Sequence, residues 1–421
     1  MSSALSRPAT VGSMATTAPA VPSGPAHVAV VSFLAARAAP TGGFWIALAG
    51  GVALARVAER RGARLGFGAS AAAMLETVAI IGPARLGIPL TQAATAPMLG
   101  RLEARGWGTT AQVLVCAAIR VLHNAATTAF FIWVIAGGLD AYAGTYDALG
   151  RRVGLEVGTA EALLLTAVGL LVWGAFASTV QVLVYRRGLR GWDALGATRA
   201  PSWLDQPLDD KVRTAGALRF DPRAVALAAA AAFALLLSGT SWPLLGAVAL
   251  WLAIAWVAAR PDRDPLATGL AFAAILAGGA LIFSLGGGLG LDVALRRAAR
   301  AALLVLVATW LRGAAGAEGL REVSRRALGR LRRLPGAPEA AQVLDQIASE
   351  GRIADAGRNL AGRMSGVARR PVPFLDAVLD WVVRESSEHR PPPARPAQAL
   401  HIRARDAVLI ALAVVPVLTL V

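Results

Sequence analysis

The stretch TAEALLLTAVGLLVWGAFASTVQVLVYRR, residues 159–187, decides the fold class of this chain. Its apolar part, residues 159–185, is longer than the roughly 20 residues that a helix needs to cross a hydrocarbon core of about 30 Å. Apolar side chains follow one another without alternation, which argues against a spanning β-strand. The stretch therefore predicts a transmembrane α-helix, and the arginines that follow it, Arg186 and Arg187, predict a cytoplasmic carboxyl end.

Similar stretches recur along the chain. Of its 421 residues, 56% are hydrophobic and only 16% are charged, which is too little polar surface for an ordinary soluble domain of this size. A break at Gly82-Pro83 separates apolar residues 65–81 from apolar residues 88–99 and predicts a helical hairpin or re-entrant pair. The expected fold is an all-α integral membrane protein with about 8–10 transmembrane helices, this hairpin included, plus a cytoplasmic region of amphipathic helices. Further spans are predicted at residues 43–57, 111–136, 224–238, 242–258, 266–285, 291–311 and 407–421.

Shifts in composition divide the chain. The beginning is rich in Ala, Ser, Thr and Pro and lacks the charged start and apolar core of a signal peptide. Residues 191–223 are polar, mixed in charge and contain prolines, as expected of a connection between two membrane halves. The predicted organisation is a disordered tail at 1–40, an N-terminal membrane domain at 41–190, a cytoplasmic linker at 191–223, a C-terminal membrane domain at 224–311, basic cytoplasmic helices at 312–404 and a final transmembrane helix at 405–421.

The net charge of +16 is carried almost wholly by arginines that flank the apolar stretches, since Lys211 is the only lysine. The positive-inside rule explains this distribution without a nucleic-acid ligand. We therefore expect a multi-pass protein of the plasma or inner membrane, with membrane lipids as partners and residues 312–404 in the cytoplasm. The chain has four histidines, the lone cysteine Cys116 and no nucleophile elbow, zinc motif or phosphate loop, so neither an enzyme nor a metal or other cofactor is expected.

Ionisable and polar side chains inside predicted spans are costly and are therefore candidates for function. They are Glu76, Arg85, Arg120, His123 and Asn124. Two interpretations stay open: the group lines a cavity that receives a substrate or ion, or it forms an internal salt bridge and hydrogen-bond set, such as Glu76 with Arg120, that holds helices together.

Three further arginines conflict with the charge rule, because they precede the apolar residues 301–311 on the predicted outer side. They are Arg296, Arg297 and Arg300. The expected explanation is a span that starts near Ala298, with the arginines reaching back to the membrane interface. The alternative is that they face protein.

The basic region contains two helical patterns. In AEGLREVSRRALGRLRRL, residues 317–334, apolar residues recur at helical spacing and arginines occupy most other positions. PFLDAVLDWVV, residues 373–383, has one apolar face and one face that carries Asp376 and Asp380. Prolines at 335, 338 and 371 separate these amphipathic helices.

From about Arg219 onward the chain resembles the transmembrane T component of energy-coupling factor transporters. The resemblance rests on the Asp221-Pro222-Arg223 entry into a helix, the arginine-bearing stretch ALRRAARAALLVLVATWLRG, the long basic amphipathic region and Arg405-Asp406 before a terminal apolar helix. In that family, short Ala-Arg-x motifs of the amphipathic helices dock on two ATPase subunits. The fuller Ala-Arg-Gly pattern occurs here only in the N-terminal half, at residues 104–106.

The resemblance implies a non-catalytic transmembrane subunit of an ATP-driven uptake transporter, of the energy-coupling factor or ABC type, which couples ATPase subunits and a substrate-binding membrane subunit to translocation. The implied docking residues are Arg363, Arg369 and Arg370, with Arg325 and Arg326 on the preceding helix. One alternative is a membrane scaffold or interaction protein whose basic region binds lipid or a partner. A third is a secondary transporter that uses the broken helix at Gly82-Pro83.

Overall fold

The computed structural model describes residues 23–83, 87–195, 220–261, 263–347, 349–367, 370–389, 391 and 401–420. Over these residues the chain is helical and has no β-strand, which confirms the predicted all-α class. The helices are α1 (Gly24–Ala38), α2 (Gly43–Arg61), α3 (Ala63–Ile81), α4 (Gly87–Ala104), α5 (Thr109–Phe130, continued by a π-helical turn at Phe131–Ala136), α6 (Leu139–Arg151), α7 (Thr159–Leu195), α8 (Pro222–Ser238), α9 (Trp242–Ala259), α10 (Arg263–Gly286), α11 (Leu291–Arg330), α12 (Ala337–Gln346), α13 (Glu350–Ser365), α14 (Pro371–Glu388) and α15 (Ala404–Leu420).

A buried hairpin of α1 and α2 lies at the centre of the N-terminal half. Both helices are apolar on nearly all sides, and small residues let them approach closely, with Gly50 against Ser32. The prediction of a disordered tail through residue 40 is therefore wrong for residues 24–38, while residues 1–22 lie outside the described residues. The predicted span at 43–57 is α2, and its side chains from Ile46 to Ala55 are buried by protein.

The basic helices α12–α14 pack directly on this hairpin. α12 lies along α3, α13 lies along α1, and α14 contacts both α1 and α2. Together with α4 and the carboxyl part of α7 they form one hydrophobic core. The predicted division between an N-terminal membrane domain at 41–190 and a separate basic region at 312–404 is therefore wrong, because the two share a single core.

A second core joins α8, α9, α11 and α15. The aromatic pair Trp251 and Trp310 lies in it, with ring centroids 5.0 Å apart in an edge-to-face arrangement. α10 packs along α11, and α6 contacts both α10 and α7, so that the N-terminal helices also reach this half.

Helix α11 is 40 residues long and bends at Gly316, whose backbone (φ 67°, ψ 164°) is not helical. This left-handed region is open to glycine at no steric cost. The predicted domain boundary between residues 311 and 312 falls inside this element. The span predicted at 291–311 and the amphipathic helix predicted at 317–334 are thus the two arms of one bent element.

Exposed apolar side chains are concentrated on one part of the molecule. Leu122, Leu164, Val257 and Ile282, on α5, α7, α9 and α10, are each 65% or more exposed. Five helices in the described part of the chain are long and apolar enough to cross a membrane: Ala63–Ile81, Thr109–Ala136, Thr159–Ala194, Trp242–Ala259 and Leu266–Gly286.

Helices α1–α4 and α12–α14 have a different surface. Among their described side chains, the only large apolar ones that are exposed are Phe44, Phe67, Leu90 and Val372. Large exposed apolar side chains are therefore scarce on the described parts of α1–α4 and α12–α14 and frequent on α5, α7, α9 and α10.

Candidate functional site

A buried salt bridge joins α3 to the second arm of α11. Glu76 is 0% exposed and the Arg321 side chain is 8% exposed. The guanidinium donates to both carboxylate oxygens, with Nε 2.7 Å from Oε2 and Nη2 also bonded to Oε1. Glu318 is a further partner of Arg321, at 3.5 Å. A bidentate pair in a buried setting fixes the orientation of the two helices as well as neutralising the charges.

Arg312 makes a second junction at the bend of α11. Its Nε donates to the carbonyl oxygen of Ile80 at 2.8 Å, near the end of α3, and its Nη2 pairs with Glu350 at the start of α13. Burial raises the pKa of the Glu350 carboxyl, and the Arg312 guanidinium offsets this only in part. The two junctions therefore connect α3, α11 and α13.

The internal salt bridge predicted from the sequence, Glu76 with Arg120, is wrong, because Glu76 binds Arg321. Arg85 lies outside the described residues. Arg321 was expected to lie in a separate cytoplasmic region, yet it is the residue that reaches Glu76, because α11 bends back along α3.

Arg120 instead belongs to a polar network between α4, α5 and α7. Its Nε donates to Ser178 Oγ at 3.3 Å and its Nη2 donates to Gln181. Gln181 Nε2 in turn donates to Thr95 Oγ1 at 2.8 Å, and the Cys116 thiol lies 3.4 Å from Gln181 Oε1. The Arg120 hydrogen bonds found in the described residues thus go to neutral groups.

The predicted polar cluster is consequently divided between two places. His123 and Asn124 follow Arg120 on α5 and are half-buried, and no described hydrogen bond joins their side chains to Glu76 or Arg120. Next to the Arg120 network, the buried hydroxyl of Tyr185 and the amide oxygen of Gln92 have no hydrogen-bond partner among the described residues. Both face Gly51 of the central hairpin.

Of the predicted docking arginines, Arg325 and Arg326 are engaged within the chain. Arg325 holds Glu322 with two hydrogen bonds of 2.8 Å, and Arg326 Nε donates to Glu322 at 2.6 Å. Partial burial acts to raise the pKa of Glu322, but these hydrogen bonds and charges outweigh it and hold the pKa below its ordinary value. Both side chains are therefore bound within the chain, and their role in docking stays a prediction.

The other docking candidates lie near the junction of α13 and α14. Arg363 is half-buried on α13, and Arg370 is exposed immediately before α14. Arg369 lies outside the described residues. Arg370 is therefore the predicted docking residue that the structure places on an open surface.

The arginines before the apolar part of α11 face protein, so the expectation that they reach the membrane interface is wrong for two of them. Arg297 donates to the carbonyl oxygens of Ala136 and Gly137, and Arg300 donates to those of Val134, Leu236 and Leu237. These carbonyls end two helices and lack intrahelical donors, so a guanidinium satisfies them and complements the negative end of the helix dipole. Arg296 pairs with Asp292 at 2.5 Å.

No group of three or more potential metal-binding His, Cys, Asp or Glu side chains occurs in the described residues. Comparison with protein-family models, curated proteins and solved structures finds no match to the chain. The fold therefore defines the class of protein. In its described residues the chain is all-helical and has five helices of membrane-spanning length and composition. Helices from both halves of the sequence also share one hydrophobic core.

Proposed function

We propose that the chain is a multi-pass integral membrane protein whose membrane part consists of α5, α7–α10, α15 and the first arm of α11. The exposed apolar side chains on these helices support this, because a bilayer removes them from water. α7 has 37 residues and is about 55 Å long, so it crosses a core of about 30 Å and extends beyond it. Its carboxyl part enters the body of α1–α4 and α12–α14, which on this proposal lies outside the bilayer. α3 belongs to this body although its length and composition would allow it to cross a membrane, because it is buried against α1, α2 and α12.

The two ends of the membrane part differ in charge, which supports the orientation. At the end facing the body, arginines of α2 and α7 are bound by two carboxylates: Arg56 and Arg60 of α2 bind Asp193 of α7, and Arg186 and Arg190 of α7 bind Glu103 of α4. At the other end, arginines and carboxylates pair one to one, as Arg151 does with Asp147 and Arg296 with Asp292. The positive-inside rule then places the body in the cytoplasm.

In function, the chain is a non-catalytic membrane subunit of an ATP-driven uptake transporter, and its cytoplasmic body transmits ATPase movement to the membrane helices. One observation carries this proposal: the buried Glu76–Arg321 pair fastens the body to α11, which continues past its bend into the membrane part. A displacement of α12–α14 therefore moves α11 as well, because packed helices behave as rigid elements.

The exposed residues of the body suggest where ATPase subunits dock. Arg370 is one, and the Ala-Arg-Gly triplet at 104–106 is exposed at the end of α4. Arg370 and the triplet lie at the same end of the molecule, because both are close to the carboxyl part of α7. Glu103, next to the triplet, binds Arg190 of α7. Asp376 of α14, which follows Arg370, binds Arg187 of α7 with two hydrogen bonds of 2.9 Å. Arginines at such positions suit bidentate contacts with carboxylates of a partner.

Purification from the native host in mild detergent tests this function. We expect two nucleotide-binding subunits to co-purify, and Arg105→Glu with Arg370→Glu to abolish their recovery. Arg151→Glu with Arg152→Glu, at the opposite end of the membrane part, reverses the same number of charges, is the matched control and leaves recovery unchanged. Recovery of the wild-type chain alone, or equal recovery of partners with all variants, contradicts the proposal.

A further inference from the structure

The turn between α11 and α12, residues 330–335, combines exposed arginines with exposed leucines. Arg330, Arg332 and Arg333 are all exposed, and none has an ion pair with a carboxylate among the described residues. Leu331 is 49% exposed and Leu334 is 55% exposed. Charged and apolar side chains thus alternate on a surface that the rest of the chain does not cover.

This turn differs from other basic positions on the body. Several exposed arginines elsewhere are matched by carboxylates of the same chain, as Arg60 is by Asp193, Arg64 by Glu339, and Arg358 by Asp355. Arg61, Arg105 and Arg370 are also exposed without a described ion pair, but the turn has three such arginines within four residues. Large exposed apolar side chains are also scarce on this part of the molecule. An unmatched concentration of positive charge beside two leucines therefore calls for a ligand that is both anionic and apolar.

The turn lies beside the boundary of the proposed membrane part. After the bend, Ala317 and Leu320 of α11 pack in the second core with Phe220 and Val225 at the start of α8. Further along this arm, the positive charge of Arg326 acts on Asp221, the residue that caps α8. The second arm thus passes the start of α8, and on the membrane placement proposed above the turn that follows it lies near the lipid headgroups.

The amino end of α3 extends the same surface. Gly336, directly after residues 330–335, packs against the backbone of Arg64 and Gly68 on α3. The adjacent Phe67 is 37% exposed, and the Arg64 side chain is 63% exposed. The charged and apolar character of the turn therefore continues onto the amino end of α3.

We infer that residues 330–335 form a binding surface for the headgroups of anionic phospholipids in the bilayer that holds the chain. Arginine donates two parallel hydrogen bonds to a phosphate, and the leucines enter the boundary between headgroups and acyl chains. The inference rests on the membrane placement proposed above but not on the presence of an ATPase.

Native mass spectrometry of the full chain in detergent tests the inference, with phosphatidylglycerol and phosphatidylcholine added in parallel. Arg332→Gln with Arg333→Gln is expected to weaken phosphatidylglycerol binding about 25-fold, since each arginine near a headgroup contributes about fivefold. Arg151→Gln with Arg152→Gln removes the same charge from the α6–α7 turn and is the matched control. Arg332→Lys with Arg333→Lys keeps the charge and is expected to retain most of the binding.

Preference for phosphatidylglycerol that is lost in the first glutamine variant and kept in the control supports the surface. Equal binding of the two lipids, or an equal loss in both glutamine variants, overturns it. The variant at 332 and 333 is also expected to retain co-purifying subunits. Loss of those subunits with unchanged lipid binding would assign the turn to an acidic protein partner instead and would overturn the inference. A chain that purifies alone but binds the lipid contradicts only the ATPase proposal.

Discussion

Replacement of Glu76 by glutamine is expected to destabilise the protein by about 3–5 kcal/mol, the usual cost of breaking a buried ion pair. The glutamine side chain would have nearly the same shape, but it would leave the Arg321 guanidinium, 8% exposed, facing a neutral amide. Glu318 lies 3.5 Å from Arg321 and is 39% exposed, so it compensates part of the charge through a partly solvated contact. We therefore expect a value toward the lower end of the range.

A surface pair of similar geometry provides the comparison. Arg187 binds Asp376 with two hydrogen bonds of 2.9 Å, but these side chains are 56% and 37% exposed. Asp376→Asn should therefore cost no more than about 1 kcal/mol. Unfolding in detergent, followed by tryptophan fluorescence against denaturant concentration, measures both changes under one condition.

A double replacement separates the loss of the pair from the loss of packing. Glu76→Leu with Arg321→Met removes both charges, and its stability should lie within about 1–2 kcal/mol of the wild type, because hydrophobic residues of similar volume often replace a buried pair at little cost. If Glu76→Gln costs no more than Asp376→Asn, or if the double replacement is as unstable as the single one, the pair does not fasten α3 to α11 as described.

Three further perturbations have expected outcomes that the same unfolding measurement checks. Burial, with smaller contributions from neighbouring positive charges, lowers the pKa of His27 to about 3. Because the histidine of the unfolded chain takes up a proton below pH 6.5, the free energy of unfolding should fall as the pH falls from 6.5 towards 3, by about 2 kcal/mol at pH 5. His27→Gln should remove this pH dependence. Arg300→Met leaves helix-end carbonyls without donors and should cost about 1–3 kcal/mol, and an unchanged stability would show that water replaces the guanidinium. Gly51→Ala would drive its methyl group into the Tyr185 hydroxyl and should cost about 1–3 kcal/mol, whereas Gly169→Ala, which meets nothing within 4 Å, should be neutral or stabilising.

Much of the helical framework was predictable because its signal is local. Continuous apolar residues predicted α5 and α7–α10 to within a few residues at most ends, although α7 continues to Leu195 instead of ending near residue 185. The break at Gly82-Pro83 was also predicted, since α3 ends at Ile81 and α4 begins at Gly87. Whether these two helices form a re-entrant pair in a bilayer stays a prediction.

The buried hairpin was not predictable in the same way. α1 has 15 residues, too few for a span, and a beginning rich in Ala and Pro resembles a disordered tail. Its mainly apolar sequence from Ala26 to Ala36, interrupted by His27 and Ser32, was the available signal, and that signal becomes meaningful only once α13 and α14 are known to cover it.

The partner of Glu76 was equally hidden. Arg321 is 245 positions away along the chain, and no local spacing links two such residues. Helical periodicity assigned Arg321 to the polar face of an amphipathic helix, and the bend at Gly316 is what turns it toward α3. Polar residues such as Ser178 and Gln181 were missed because each is isolated in an apolar stretch, although polar residues within a predicted span are a usable signal of helix contacts.

On the proposed topology, the membrane part separates the α6–α7 turn from the body that contains the α11–α12 turn. In a Cys116→Ala background, Arg152→Cys and Arg332→Cys each place one thiol on an exposed surface. A membrane-impermeant maleimide should label position 152 in intact bacterial cells and should label position 332 only after the membrane is permeabilised. Labelling of both positions from the same side would contradict the claim.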